Sequence, residues 1–92
     1  PIPEIMPSLA KRAGAKVIAT GRSDFPNQLN NSLVFPGVFR GALDHRVRAI
    51  TDPMKLRAAQ AIASLVPHPT PTKIVPSMFD CRVVGAVSSA IR

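Results

Sequence analysis

Four carboxamides fall within five positions, Asn27, Gln28, Asn30 and Asn31, inside the stretch "GRSDFPNQLNNSLVFPGVFRGALDHR" that runs from residue 21 to 46. Asparagine and glutamine carry neutral donors and acceptors on short side chains. Where such side chains open a helix, they add to the free backbone N–H groups and to the positive end of the helix dipole. Together these make a seat for a carboxylate or a phosphate. The competing reading is that one Asn caps the helix and the others are turn residues, with Asn27 in the turn. Position favours the seat: the cluster follows a segment that reads as a parallel strand, and ligands of open α/β sheets sit outside the strands' C-terminal ends.

Other site chemistries find less material. The sequence contains neither G-x-G-x-x-G nor G-x-x-x-x-G-K-[ST], and "GRSDF" is not a G-x-S-x-G elbow, which leaves Ser23 a loop serine. His45 and His68 lie 23 residues apart without clustered Cys or carboxylates, a poor metal pair. Asp44 and His45 are sequence neighbours on a helix and point in different directions, so both are expected to face solvent. Cys81 is the single cysteine; it excludes an internal disulfide, fits a reducing compartment, and reads as a small core residue rather than a nucleophile. Gly37-x-x-x-Gly41 reads as a mark of close helix packing.

The elements that must hold the amides follow from local signals. Pro7 suits a first helical position and Gly14 a left-handed stop, giving a short helix over about residues 7–13. "AKVIAT" reads as a brief buried strand over 16–20, ending at Gly21, with a polar loop over 22–28. Asn30 or Asn31 caps a helix that runs to about Arg46 and breaks or kinks near Pro36-Gly37. Thr51 or Asp52 opens the next helix, with Pro53 at its first position and Met54, Ala58, Ile62 and Leu65 along one stripe. "PHPTPTKIVP" is an extended connector, with "KIV" a possible second strand. The last segment is an amphipathic helix, with Val83, Val84, Val87, Ala90 and Ile91 on one face. The order is that of the end of an α/β unit. A lone parallel strand needs neighbours, which places the rest of its sheet outside these residues.

Composition narrows the classes. The chain has 92 residues, 46% hydrophobic and 18% charged, with four Phe and no Trp or Tyr; this is one small globular domain or part of a larger one, with an aliphatic core. A formal charge of +7, from 12 Lys and Arg against 5 acids, raises the alternative of a small basic nucleic-acid-binding domain. The cations are spread along the chain without a basic tail, so no nucleic-acid partner is expected. No apolar stretch reaches the length of a membrane span, and no membrane partner is expected. The opening "PIPEIMP", on Pro1 without an initiator Met, suggests a chain cut from something longer. A noncatalytic fold or assembly fragment is the third possibility.

"PEIMPSLAKRAGAKVIATGRSDFPNQLNNSLVFPGVFRGALDHR", continued by "MKLRAAQAIASLV" and "IVPSMFDCRVVGAV", resembles the C-terminal part of the dinucleotide-binding domain of malic enzyme in its bacterial and archaeal form. The resemblance covers nearly the whole chain. It implies the end of a Rossmann-like, doubly wound parallel-sheet α/β domain, mostly helical within residues 1–92 and incomplete alone. It implies oxidation of L-malate to pyruvate and CO2 with NAD or NADP and Mg2+ or Mn2+, in a cytoplasmic homodimer. Asn30 and Asn31 match the family's paired asparagines, which face substrate and nicotinamide; Asn30, with Gly21, is thereby assigned to the cofactor side as well. The family's catalytic tyrosine and lysine, its acidic metal ligands and its Gly-rich phosphate loop belong upstream, so this segment alone is expected to be inactive. His45 stands where a small apolar residue is usual, Cys81 replaces a common proline, and the connector after Val66 is short.

Overall fold

The computed structural model describes residues 2–92. Helix α1 spans Pro7–Arg12, a single 3-10 turn spans Asn31–Leu33, and α2, α3 and α4 span Phe35–Asp44, Asp52–Ser64 and Arg82–Ala90. The boundaries follow local chemistry. Pro7 occupies the first position of α1, where its missing N–H costs nothing. The helix ends through Gly14 at φ 106, and Ala15 N–H closes the turn onto the Ala10 carbonyl. Thr51, not Asp52, is the cap of α3, its hydroxyl accepting from Met54 N–H at 3.4 Å. Pro53 falls in the first turn of α3.

The expected helix from the amide cluster to Arg46 is shorter and divided. Its break falls at Val34, between the 3-10 turn and α2, and not at Pro36-Gly37. Pro36 sits in the first turn of α2, where a proline is tolerated, so the chain breaks before the proline rather than kinking at it. The helix stops at Asp44; Arg46 adopts φ 53 and Val47 N–H reaches back to the Ala42 carbonyl. The connector over 67–76 runs without helix and carries only an isolated antiparallel bridge between Thr70 and Lys73, so "KIV" forms no strand.

The expected strand over 16–20 is also absent: there is no strand among the described residues, and this segment makes an isolated parallel bridge between Thr20 and Gln28. Leu29 N–H donates to the Thr20 carbonyl at 2.7 Å and Thr20 N–H to Asn27 O at 3.3 Å. A ladder needs a partner of several residues, and this segment finds one bridge's worth.

Helix α4 lies against both α2 and α3. Val83, Val87 and Ile91 from α4 and its end join Leu33, Ala58 and Ile62 in one buried cluster, with Met54 and Leu65 packed on it. The α3 stripe therefore faces inward as its spacing requires. Val84 departs from expectation: it is 41% exposed, because the inward face of α4 repeats as 83, 87, 91 and residue 84 turns off it. Gly37 and Gly41 mark the closest approach of α2 to α4. A Cβ on Gly37 would stand 2.5 Å from the Val87 Cβ, and one on Gly41 2.5 Å from the Ser88 carbonyl oxygen.

Candidate functional site

The site is built on the loop between Thr20 and the 3-10 turn. Arg22 donates from Nε and Nη2 to both oxygens of Asp24, at 2.9 and 2.7 Å, and its guanidinium lies 5.4 Å from the centre of the Phe25 ring. The bidentate bond to Arg22 holds the Asp24 carboxyl below its ordinary range and raises the Arg22 guanidinium above its own. Arg22 is thereby committed within the loop. Gln28 leans its amide towards the Gly21 carbonyl at 3.5 Å.

The amides divide their work. Asn30 is the cap: its Oδ1 accepts from Ser32 N–H at 2.9 Å, in an extended backbone at φ −142. Capping occupies the oxygen and leaves the Asn30 NH2 as donor. Asn31 is exposed, and its carboxamide makes no hydrogen bond among the described residues, so it retains both donor and acceptor. Asn30 lies between two clefts. One, of about 610 Å³, is lined by Gly21, Arg22, Ser23, Asp24 and Gln28 together with Asn30 and Ile2. The other, of about 460 Å³, is largely apolar and carries Asn30, Asn31 and Lys55 among Leu29, Leu33, Val34, Ile62 and neighbouring residues. Gly21 and Asn30 thus share the first cleft, and Asn30 and Asn31 share the second.

Asn27 is more than a turn residue. It adopts φ 56 and is 7% exposed. Its Nδ2 donates to the Ile18 carbonyl at 3.0 Å and the Pro71 carbonyl at 2.8 Å, and its Oδ1 accepts from Ile74 N–H at 2.8 Å. The Pro26-Asn27 pair signals a turn in the sequence. Nothing local signals partners more than 40 residues away.

The remaining chemistry-bearing side chains are placed as follows. Each aspartate already faces a nearby cation: Asp24 with Arg22, Asp44 with Arg40, Asp52 with Lys55, Asp80 with Arg82. No group of three or more His, Cys, Asp or Glu among the described residues could hold a metal ion. Cys81 is exposed just before α4, not in the core. His45 is exposed as expected. No helix among the described residues is long and apolar enough to cross a membrane.

Comparison with known proteins decides the family. The profile described as "Malic enzyme, NAD binding domain" matches residues 14–91. The chain belongs to the malic enzyme family. It is 55% identical over 93 residues to the bifunctional malic/malolactic enzyme of Bacillus subtilis (strain 168), an alignment covering 99% of this chain and 23% of that protein. It is 56% identical over 93 residues to the NAD-dependent malic enzyme of Geobacillus stearothermophilus, covering 99% of this chain and 19% of that one. The crystal structure of malic enzyme from Pyrococcus horikoshii superposes with a TM-score of 0.94 at 55% identity, over 99% of this chain and 21% of that chain. The chain therefore spans about a fifth of the length of the malic enzymes it matches.

Proposed function

We propose that this chain is the C-terminal part of a malic enzyme's NAD-binding domain, incomplete alone, and that the whole protein converts L-malate and NAD(P)+ to pyruvate, CO2 and NAD(P)H. The observation that carries the reading is the unused carboxamide of Asn31 beside the capping Asn30, at the mouth of a cleft and next to the end of the extended segment 16–20. In the whole domain that segment becomes a strand of a Rossmann-like parallel sheet, its partners supplied by the rest of the protein. The amides then stand at the carboxyl end of that strand, where α/β sheets bind ligands.

The Asn31 NH2 and the free hydrogens of the Asn30 NH2 donate to a malate carboxylate and fix its orientation. Neutral donors do this without adding positive charge. Gly21 offers backbone without a side chain on the same cleft as Asn30, room for the edge of the cofactor. NAD or NADP, when bound, supplies the hydride acceptor. The described residues do not fit a Mg2+ or Mn2+ site, since the aspartates are ion-paired and no donor set clusters among them. The metal ligands, the acid and base, and the phosphate loop are assigned to the remainder of the protein. A cytoplasmic homodimer belongs to the same proposal. The nucleic-acid alternative finds no support, with four of the cations tied to aspartates and the others dispersed.

A chimaera tests the proposal. This segment replaces its counterpart in the Bacillus subtilis relative, and malate-dependent reduction of NAD+ and NADP+ is followed. Turnover is expected with at least one cofactor. A folded chimaera that binds cofactor yet leaves malate unoxidised overturns the reading. The segment alone is expected to give no turnover with malate, Mn2+ and either cofactor.

A further inference from the structure

Asn27 joins three segments through its side chain: Ile18 in the extended segment, Pro71 and Ile74 in the connector, and its own loop. All three of its bonds are short, between 2.8 and 3.0 Å, and the residue is buried. Its backbone carbonyl also accepts from Thr20 N–H, and two residues later Leu29 N–H returns to the Thr20 carbonyl. The loop is therefore closed at its base, and the chain leaves that closure directly into Asn30 and Asn31. The φ of 56 sets the exit direction. Asparagine is, after glycine, the residue that tolerates this left-handed geometry best, and it alone of the two can also make the bonds.

We infer that Asn27 is the positioning residue of the substrate seat, through which the connector over 67–76 fixes where Asn30 and Asn31 stand. Asn27 touches no substrate; it acts on the seat by anchoring the backbone three and four residues upstream of it. An ordinary buried amide would serve stability alone. This one binds the connector from the single point where the seat's loop closes, so losing its bonds releases the loop that presents the amides. The inference rests on the reading of Asn31 as a malate ligand, and its test separates the two.

The experiment is a double-mutant cycle in the full-length malic enzyme carrying this segment. Asn27→Gly keeps the backbone geometry and removes all three bonds; Asn31→Ala removes the seat amide. Asn27→Gly alone is expected to raise the KM for malate by about tenfold, and in the Asn31→Ala background to change malate kcat/KM by less than about twofold. Val83→Ala, in the core face of α4 and away from both clefts, serves as the control: it lowers the melting temperature, and its effect on malate KM stays within about twofold. If Asn27→Gly does not accumulate as folded enzyme, Asn27→Asp replaces it, keeping an oxygen for Ile74 N–H while losing the amide donors. An unchanged malate KM with a lowered melting temperature, or equal effects in both backgrounds, overturns the positioning role while the seat reading stands. An Asn31→Ala enzyme with unaltered malate kcat/KM overturns the seat reading itself, and the positioning role with it.

Discussion

Nδ1 of His45 lies 2.7 Å from the carbonyl oxygen of Ile91 and donates to it, tying the end of α2 to the end of α4. Because a carbonyl can only accept, the ring carries its proton on Nδ1. Arg57 of α3 donates from Nε to the Ala90 carbonyl at 3.2 Å and also reaches the Arg92 carbonyl. The carbonyl of Ala90 at the end of α4, and those of Ile91 and Arg92 just past it, are thus taken up by the side chains of His45, at the C-terminal cap of α2, and Arg57 of α3. His45→Ala is expected to lower stability by about 0.5–1.5 kcal/mol, the usual contribution of one such bond. Calorimetric melting of His45→Ala beside the parent checks this. An unchanged melting temperature would mean that water replaces the ring without loss.

The contact between α2 and α4 separates the glycines sharply. Alanine at Gly37 or Gly41 places a methyl within 2.5 Å of α4, against the Val87 side chain or the Ser88 backbone. Such overpacking costs about 1–3 kcal/mol, because the helices must move apart. Gly85 lies inside α4 with nothing within 4 Å of its would-be Cβ. Gly85→Ala is therefore expected to stabilise by about 0.5–1 kcal/mol through helix propensity alone. Denaturant midpoints for the three variants give the measurement, and a common sign for all three would contradict the packing described here.

How much of this was legible in the sequence depends on the range of the interaction. Pro7 and Gly14 bound α1, Thr51 with Pro53 opens α3, and Gly37-x-x-x-Gly41 marks helix contact, because each signal acts within a turn or two of chain. The Met54–Leu65 stripe shows for the same reason. The break at Val34 has no local signal of its own: Pro36 marks a kink by pattern, while a proline in the first turn of a helix needs none. Val17 and Ile18 have the composition of a strand, but a strand exists only with partners, and pairing lies beyond composition. In the candidate site, Asn30 as cap was within reach of pattern. The roles of Asn27 with Pro71 and Ile74, and of His45 with Ile91, were not, since both depend on residues brought together only by the folded chain.

Asp80 gives a pH dependence. Arg82 donates its side chain to both Asp80 oxygens, at 3.0 and 2.7 Å, and its backbone N–H to Oδ1 at 3.0 Å. The guanidinium bonds first, then the backbone bond, lower the carboxyl from 3.8 to about 2. A carboxyl held lower when folded than when unfolded stabilises fully above its unfolded value. That contribution is lost as pH falls from about 4 through 2. Asp80→Asn is expected to melt below the parent at pH 6 and to close the gap on acidification over that window. A gap that widens with acid would place the loss on another group.

The two seat asparagines are expected to respond differently, because only one of them is a cap. Asn30 Oδ1 holds Ser32 N–H, so Asn30→Ala loses a cap, on the order of 1 kcal/mol, as well as a donor. Asn30→Asp keeps the capping oxygen. The Asn31 side chain makes no hydrogen bond among the described residues, and its carbonyl, which accepts from Val34 N–H, survives the substitution, so Asn31→Ala is expected to leave the melting temperature nearly unchanged. In the full-length enzyme it should nevertheless lower malate kcat/KM. Removing a hydrogen bond to a charged carboxylate costs about 1.5–3 kcal/mol, a fall of about 10- to 150-fold. Asn31→Asp keeps the size of the side chain but sets a negative charge against the substrate's own, and it should be the most damaging of the set for malate. Steady-state kinetics with malate beside thermal melts for all four variants separates binding from capping. If Asn31→Asp turns malate over at the parental kcat/KM, that amide does not face the substrate, and the seat must lie elsewhere in the protein.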